Sequence, residues 1–292
     1  MYKHGVNLMV WTTRVHHEHR KLLASIREWG FDGVELFLSP AEPADIPFLK
    51  QELTRLNLER TTCVVLPRDV HLPSLDVETH RRGVAFLNQC VERTAELEAP
   101  LMCGPLHSGL GVMTGARRTH QEWNRSVEGL QKVARRAKEL GVTLCVEPLN
   151  RFETYFLNTQ EDAARFVDEI GESNVRVHYD TFHANIEEKD PVKALKNLGT
   201  RAGHVHLSEN DRGTPGTGHV DWRGTLLALQ EIGYNGWLTI ESFAQPEPQL
   251  AAAACIWRDT AASGETLARE GLAFMKNLAR ELGMSQGQKA SA

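Results

Sequence analysis

"VTLCVEPLNRFE", residues 142–153, runs from an apolar stretch into a glutamate and then a proline. Val142 to Val146 read as a strand buried within a sheet, because the run is short, apolar and rich in β-branched residues. Pro148 stops it, so Glu147 stands at the strand's C-terminal mouth. A carboxylate taken out of water is costly unless it is paired or bound to a metal. The question is what Glu147 faces.

Seven more runs read as strands: "GVNLMVW" (5–11), "GVELFL" (33–38), "RTTCVVL" (60–66), "PLMCG" (100–104), "VRVHYD" (175–180), "AGHVHLS" (202–208) and "GWLTIE" (236–241). Helical patterns lie between them. In "EWNRSVEGLQKVARRAKELG" (122–141) apolar residues recur at helical spacing up to a glycine stop. "GFDG" (30–33) and "GYNG" (233–236) read as helix ends turning into strands. A recurring strand-then-helix order implies parallel strands. Eight such units in 292 residues predict an α/β fold, a single-domain (β/α)8 TIM barrel over residues 1–283, with a disordered tail over 284–292. An open doubly wound sheet is the alternative, but no G-x-G-x-x-G follows the first strand. The Gly/Pro-rich loops at 104–118, 208–221 and 245–249 each follow a predicted strand, which in a barrel is the catalytic face.

Composition narrows the function. A net charge of -5, from 33 basic and 38 acidic residues, argues against a nucleic-acid partner, which calls for a basic face. No run approaches a membrane span or a signal-peptide core. None of the five cysteines falls in a C-x-x-C pair, which fits small apolar side chains in a reducing cytosol. The expected location is cytoplasmic.

The polar residues at the strand ends answer the opening question. Glu147, Asp180 and Glu241 end strands five, six and eight, and His206 lies near the end of strand seven. Successive strand ends are neighbours in a barrel, so the four converge. Three close carboxylates repel one another, and a divalent cation offsets that repulsion. An oxygen-rich set with one imidazole suits Mn²⁺, Mg²⁺ or Co²⁺ better than a thiolate-type zinc site. Taken singly each residue has a plainer reading: Glu147 paired with an arginine, Asp180 capping the next helix, His206 a satisfied core histidine, Glu241 capping the last loop. Glu153, His183 and Arg212 lie within a few residues of these positions, where they could hold the oxygens of a small polyol. Trp11, read at the end of strand one, could wall a sugar site or pack in the core.

At these residues the chain resembles the ketose 3-epimerases of the xylose-isomerase-like barrel superfamily, the D-tagatose and D-psicose (allulose) 3-epimerases. The matching stretches are "EPLNRFETYFLNT" (147–159), "YDTFHANIEE" (179–188), "GHVHLSENDRGTPGTG" (203–218), "IGYNGWLTIESF" (232–243) and "IWRD" (256–259). "VWT" (10–12) and "GFDGVEL" (30–36) match more loosely. The resemblance implies that Glu147, Asp180, His206 and Glu241 bind one divalent metal ion per subunit, Mn²⁺ first, with Mg²⁺ or Co²⁺ as alternatives. It also implies that Glu147 and Glu241 exchange the proton at C3 of a ketose, and that Glu153, His183 and Arg212 hold the substrate. His107 falls in a loop that helps shape the pocket in relatives. Ser208, Asp211, Ser242 and Ala184 depart from the family's usual residues and bear on sugar preference. The implied partners are a small-molecule ketose and further copies of the chain, as a homodimer or homotetramer. Rival readings are an aldose–ketose or hydroxypyruvate isomerase, a metal-dependent DNA-repair endonuclease, and a sugar-binding barrel without turnover.

Overall fold

The computed structural model describes residues 2–41 and 44–284. Of the expected tail, residues 285–292 lie outside the described residues. Eight strands close into a barrel in sequence order: β1 (Lys3–Asn7), β2 (Gly33–Phe37), β3 (Glu59–Cys63), β4 (Leu101–Gly104), β5 (Thr143–Val146), β6 (Val175–Asp180), β7 (Ala202–Leu207) and β8 (Trp237–Ile240). Every pairing is parallel, and β1 pairs with β8 to complete the ring. Among the described residues the helices are α1 (Arg20–Trp29), α2 (Ile46–Arg55), α3 (Val77–Glu96), α4 (His120–Glu139), α5 (Gln160–Ile170), α6 (Thr181–Glu187), α7 (Pro191–Leu198), α8 (Trp222–Glu231), α9 (Pro248–Ala254) and α10 (Gly264–Glu281). This is the single-domain (β/α)8 barrel that the strand pattern predicts. None of these helices is long and apolar enough to cross a membrane.

Local chemistry sets the helix ends. Thr119 and Glu122 form a reciprocal capping box at the start of α4, and Gly30 takes the left-handed conformation that ends α1. The "QPEPQ" loop runs directly into α9, with Pro248 in its first turn.

The strands alternate between two environments. Val205 and Leu207 belong to the apolar layer between sheet and helices, together with Val34, Leu144 and Ile240. The alternate residues are buried and polar: Asn7, Glu35, Thr61, His178, His204 and His206. The pairing of β6 with β7 shifts register between Val177 and His178, after which His178 faces His204 and Asp180 faces His206. Gly203 occupies the shift. A Cβ there would lie 2.3 Å from that of Arg176 and 2.8 Å from Cys145 Sγ, so no larger residue fits unless these move.

One strand boundary differs in a way that matters. The "GVNLMVW" run leaves the sheet at Asn7, whose side chain accepts from Met9 N and starts a 3₁₀ turn over Leu8–Val10. Trp11 therefore follows a turn and does not end a strand.

Candidate active site

Glu147 and Glu241 each lie one residue beyond their strands, Asp180 is the last residue of β6, and His206 is next to last in β7. The structure brings all four together. One ligand atom from each lies within 4.8 Å of the others, and all four residues are buried. Asp180 does cap α6 as well, since its Oδ1 accepts from Phe182 N at 2.6 Å. The two readings of Asp180 are compatible because Oδ2 is left to face the site.

Arg212 reaches this group from the loop after β7. Its Nη1 donates to Asp180 Oδ2 (3.0 Å) and Glu241 Oε2 (3.1 Å). Phe182 and Phe243 flank its guanidinium at 4.0 and 5.4 Å. The backbone of Arg212 has φ 65°, an uncommon conformation for a residue with a side chain, as found at sites that position a group. Buried Glu209 holds the same loop by accepting from Gly216 N, Val220 N and Trp222 Nε1, each at 2.9 Å.

His183 stands beside Arg212. Its Nδ1 accepts from Asn150 N at 3.1 Å. Its Nε2 lies 3.0 Å from Arg212 Nη2, which points toward it. Glu153 is held by Asn150 Nδ2 at 2.7 Å.

A cavity of about 330 Å³ opens above these groups. Glu147, Glu153, His183, Arg212 and Glu241 wall one side, and Met9, Phe37, Phe243, Leu250 and Ala254 contribute apolar surface. This is the size and mixed character of a small-molecule site.

Two expected site residues are not brought to the cavity. His107 is wholly buried, and its Nε2 donates to the Glu147 carbonyl at 3.0 Å while its ring stacks on Phe156. It supports the backbone of Glu147. Trp11 packs on Trp29 with ring centroids 6.0 Å apart, because the turn after Asn7 carries it there. Ser208, Asp211, Ser242 and Ala184 likewise do not wall the cavity.

Charge balance asks for a cation. Burial pushes the Glu147 carboxyl well above the usual carboxylate range, with Glu241 and Asp180 adding to the shift. Burial also raises Asp180 against the pull of Arg212. For Glu241 burial is outweighed by His206 and Arg212, and the carboxyl is held low. Arg212 donates to Asp180 and Glu241, and Glu147 takes no hydrogen bond from it. Glu147 Oε1 and His206 Nδ1 are buried with no hydrogen-bond partner. Unpaired oxygen and nitrogen atoms converging this closely are what a divalent ion requires. The residues present therefore fit a metal ion.

Sequence reading missed the layer beneath. Glu35 accepts from Asn7 Nδ2 (3.0 Å) and Thr61 Oγ1 (2.8 Å), and His206 Nε2 lies 2.6 Å away. His178 packs edge-on against His206 at 4.0 Å, and its Nδ1 lies 3.6 Å from Glu147 Oε2. The available signal was period-two polarity inside apolar strands, in "VEL", "VHYD" and "HVH".

Comparison with known proteins places the chain. The family model described as xylose isomerase-like TIM barrel matches residues 23–278. An L-ribulose 3-epimerase of Mesorhizobium japonicum is 37% identical over 94% of this chain and 93% of its own length. A solved L-ribulose 3-epimerase structure superposes with TM-score 0.90 at 33% identity, covering 100% of both chains. The D-allulose 3-epimerase of Methylomonas sp., in complex with D-allulose, gives TM-score 0.90 at 30% identity over 94% of this chain and 96% of that one. The chain belongs to the xylose isomerase-like TIM barrel family, on its ketose 3-epimerase branch.

Proposed function

We propose that this chain is a metal-dependent isomerase that inverts C3 of free ketoses, of the D-tagatose/D-sorbose and D-fructose/D-psicose type, with L-ribulose as a ketopentose candidate. The observation that carries the reading is the placement of two glutamates, Glu147 and Glu241, on one buried group with Asp180 and His206 at the wall of a sugar-sized cavity. Those four residues would hold one divalent ion, Mn²⁺ foremost, with Mg²⁺ and Co²⁺ as alternatives. Such an ion supplies Lewis acidity toward the carbonyl oxygen and the neighbouring hydroxyl.

The chain's own groups do the rest. Epimerisation needs a base on one face of C3 and an acid on the other. Glu147 and Glu241 come from β5 and β8, three strand positions apart around the ring, so they approach a bound sugar from different sides. One takes the C3 proton and the other delivers one to the opposite face. Arg212 and His183 would hold the substrate near its carbonyl end, and Glu153 would accept from hydroxyls further along the sugar. Leu250 and Ala254 of α9, with Phe243, would exclude water from that end.

The proposal includes a cytoplasmic location, which the five free cysteines support. It includes a homodimer or homotetramer, for which exposed Phe152 and Trp257 offer apolar surface. The test is incubation of Mn²⁺-loaded protein with D-fructose, D-psicose, D-tagatose, D-sorbose and L-ribulose, with an EDTA-treated control. The expected product is the C3 epimer, lost with EDTA. Aldose formation instead would move the chain to the aldose–ketose isomerases.

A further inference from the structure

We infer that Glu35 is a positioning residue that fixes which nitrogen His206 turns toward the metal ion. The inference rests on the reading of Glu147, Asp180, His206 and Glu241 as a metal centre. Glu35 sits in the middle of β2, with its Cα in register with Asn7 of β1 and Thr61 of β3. It is fully buried and does not wall the cavity.

Oε1 of Glu35 accepts from Asn7 Nδ2 and faces His206 Nε2 at 2.6 Å. Oε2 accepts from Thr61 Oγ1 (2.8 Å) and Cys103 Sγ (3.2 Å), and His204 Nε2 lies 2.8 Å from it. An ionised carboxylate only accepts, so a nitrogen held 2.6 Å from it carries the proton. When the ring ligates an ion through Nδ1, that proton stays on Nε2. His206 Nδ1 lies 3.4 Å from Glu241 Oε2 and 4.0 Å from Asp180 Oδ2, with no hydrogen bond of its own. A nitrogen aimed at carboxylate oxygens in this way is placed to join them on a cation. Ligating histidines commonly donate their other N–H to a carboxylate in this way.

Two neighbours keep the arrangement rigid. Asn7 Oδ1 accepts from Met9 N at 2.9 Å, which fixes the amide so that Nδ2 spans Glu35 Oε1 and Glu241 Oε1 (3.3 Å). The His178 ring packs edge-on against His206 and blocks its rotation.

The first experiment is ¹⁵N-histidine NMR on Mg²⁺-loaded wild-type protein, with His206 assigned by its absence in His206→Gln. The inference expects a proton on Nε2 and none on Nδ1. A proton on Nδ1 overturns it, without any variant at Glu35. The second is Mn²⁺ titration followed by EPR. Glu35→Gln, which keeps volume and removes the charge, is expected to bind Mn²⁺ about 10–100-fold more weakly. Wild-type affinity in a folded Glu35→Gln overturns the inference while leaving the metal centre standing. Two ions per wild-type subunit, one of them lost in Glu35→Gln, would also overturn it, because Glu35 with Cys103, His204 and His206 would then be a ligand set. No divalent-ion binding by the wild type would overturn the metal centre and this inference together.

Discussion

Arg212 Nη1 donates to Asp180 Oδ2 across 3.0 Å, tying the loop after β7 to the end of β6. The same nitrogen reaches Glu241, and Nη2 lies beside His183, so one planar group organises three residues. Lysine lacks that fork. Arg212→Lys is expected to lower kcat/KM about 10²-fold, as loss of an oriented donor does. Steady-state kinetics on the preferred ketose would measure it. An unchanged kcat/KM would remove Arg212 from the site.

The two glutamates should each be needed for turnover. Glu147→Gln and Glu241→Gln are each expected to lower kcat by about 10²–10⁴. The double variant should lose little more than either single one, because the pair acts as a unit. Rates at saturating Mn²⁺, with metal content measured on each sample, separate lost proton transfer from lost ligation.

Metal removal should lower stability. With the ion at about 100 times its Kd, binding adds about 2.7 kcal/mol to the folded state. For a domain near this size that is a Tm rise on the order of 5 °C. Thermal melts with EDTA and with Mn²⁺ would read it. Coincident melts would argue that the four residues hold no ion.

Gly104 ends β4 with φ 121°, and its carbonyl accepts from Glu147 N at 2.9 Å. A Cβ there would meet the Val64 carbonyl oxygen at 2.2 Å. Gly104→Ala is expected to cost roughly 1–3 kcal/mol or more, since both the conformation and the contact are unfavourable. Urea unfolding would measure the loss.

Acid should destabilise the fold before the surface carboxylates titrate. Burial pushes His4 down to about 4 and His107 down to about 3. Their ordinary value is near 6.5, so the unfolded chain takes up protons that the folded chain refuses. The stability they contribute is complete above pH 6.5, falls progressively below it, and is gone once pH has dropped through about 4 for His4 and about 3 for His107. Tm should therefore fall from pH 6.5 to 5, and His107→Gln should flatten part of that slope. A Tm independent of pH over that range would contradict the assignment.

The barrel was legible because each strand is a short apolar run punctuated by glycine or proline. The convergence of Glu147, Asp180, His206 and Glu241 was legible because the four fall at the ends of four successive strands, which neighbour one another in a barrel. Glu35 and His178 were not, because an isolated polar residue inside a strand does not announce its partner. Glu35 meets His206 at a sequence separation of 171 residues, and His178 packs on His206 of the next strand. Trp11 was misplaced because "NLMVW" has strand composition, whereas the Asn7 side chain diverts the backbone into a turn. The reading of His107 depended on resemblance to relatives, and the structure sets its ring under the Glu147 backbone.

The central claim is inversion at C3 by proton exchange. It is tested most directly by incubating Mn²⁺-loaded protein with a free ketose in D₂O and locating the label by NMR. The account predicts deuterium at C3, together with the C3 epimer, and neither in the EDTA-treated control. Deuterium at C1 with aldose formation, or no exchange with any ketose in folded, metal-bound protein, would contradict it.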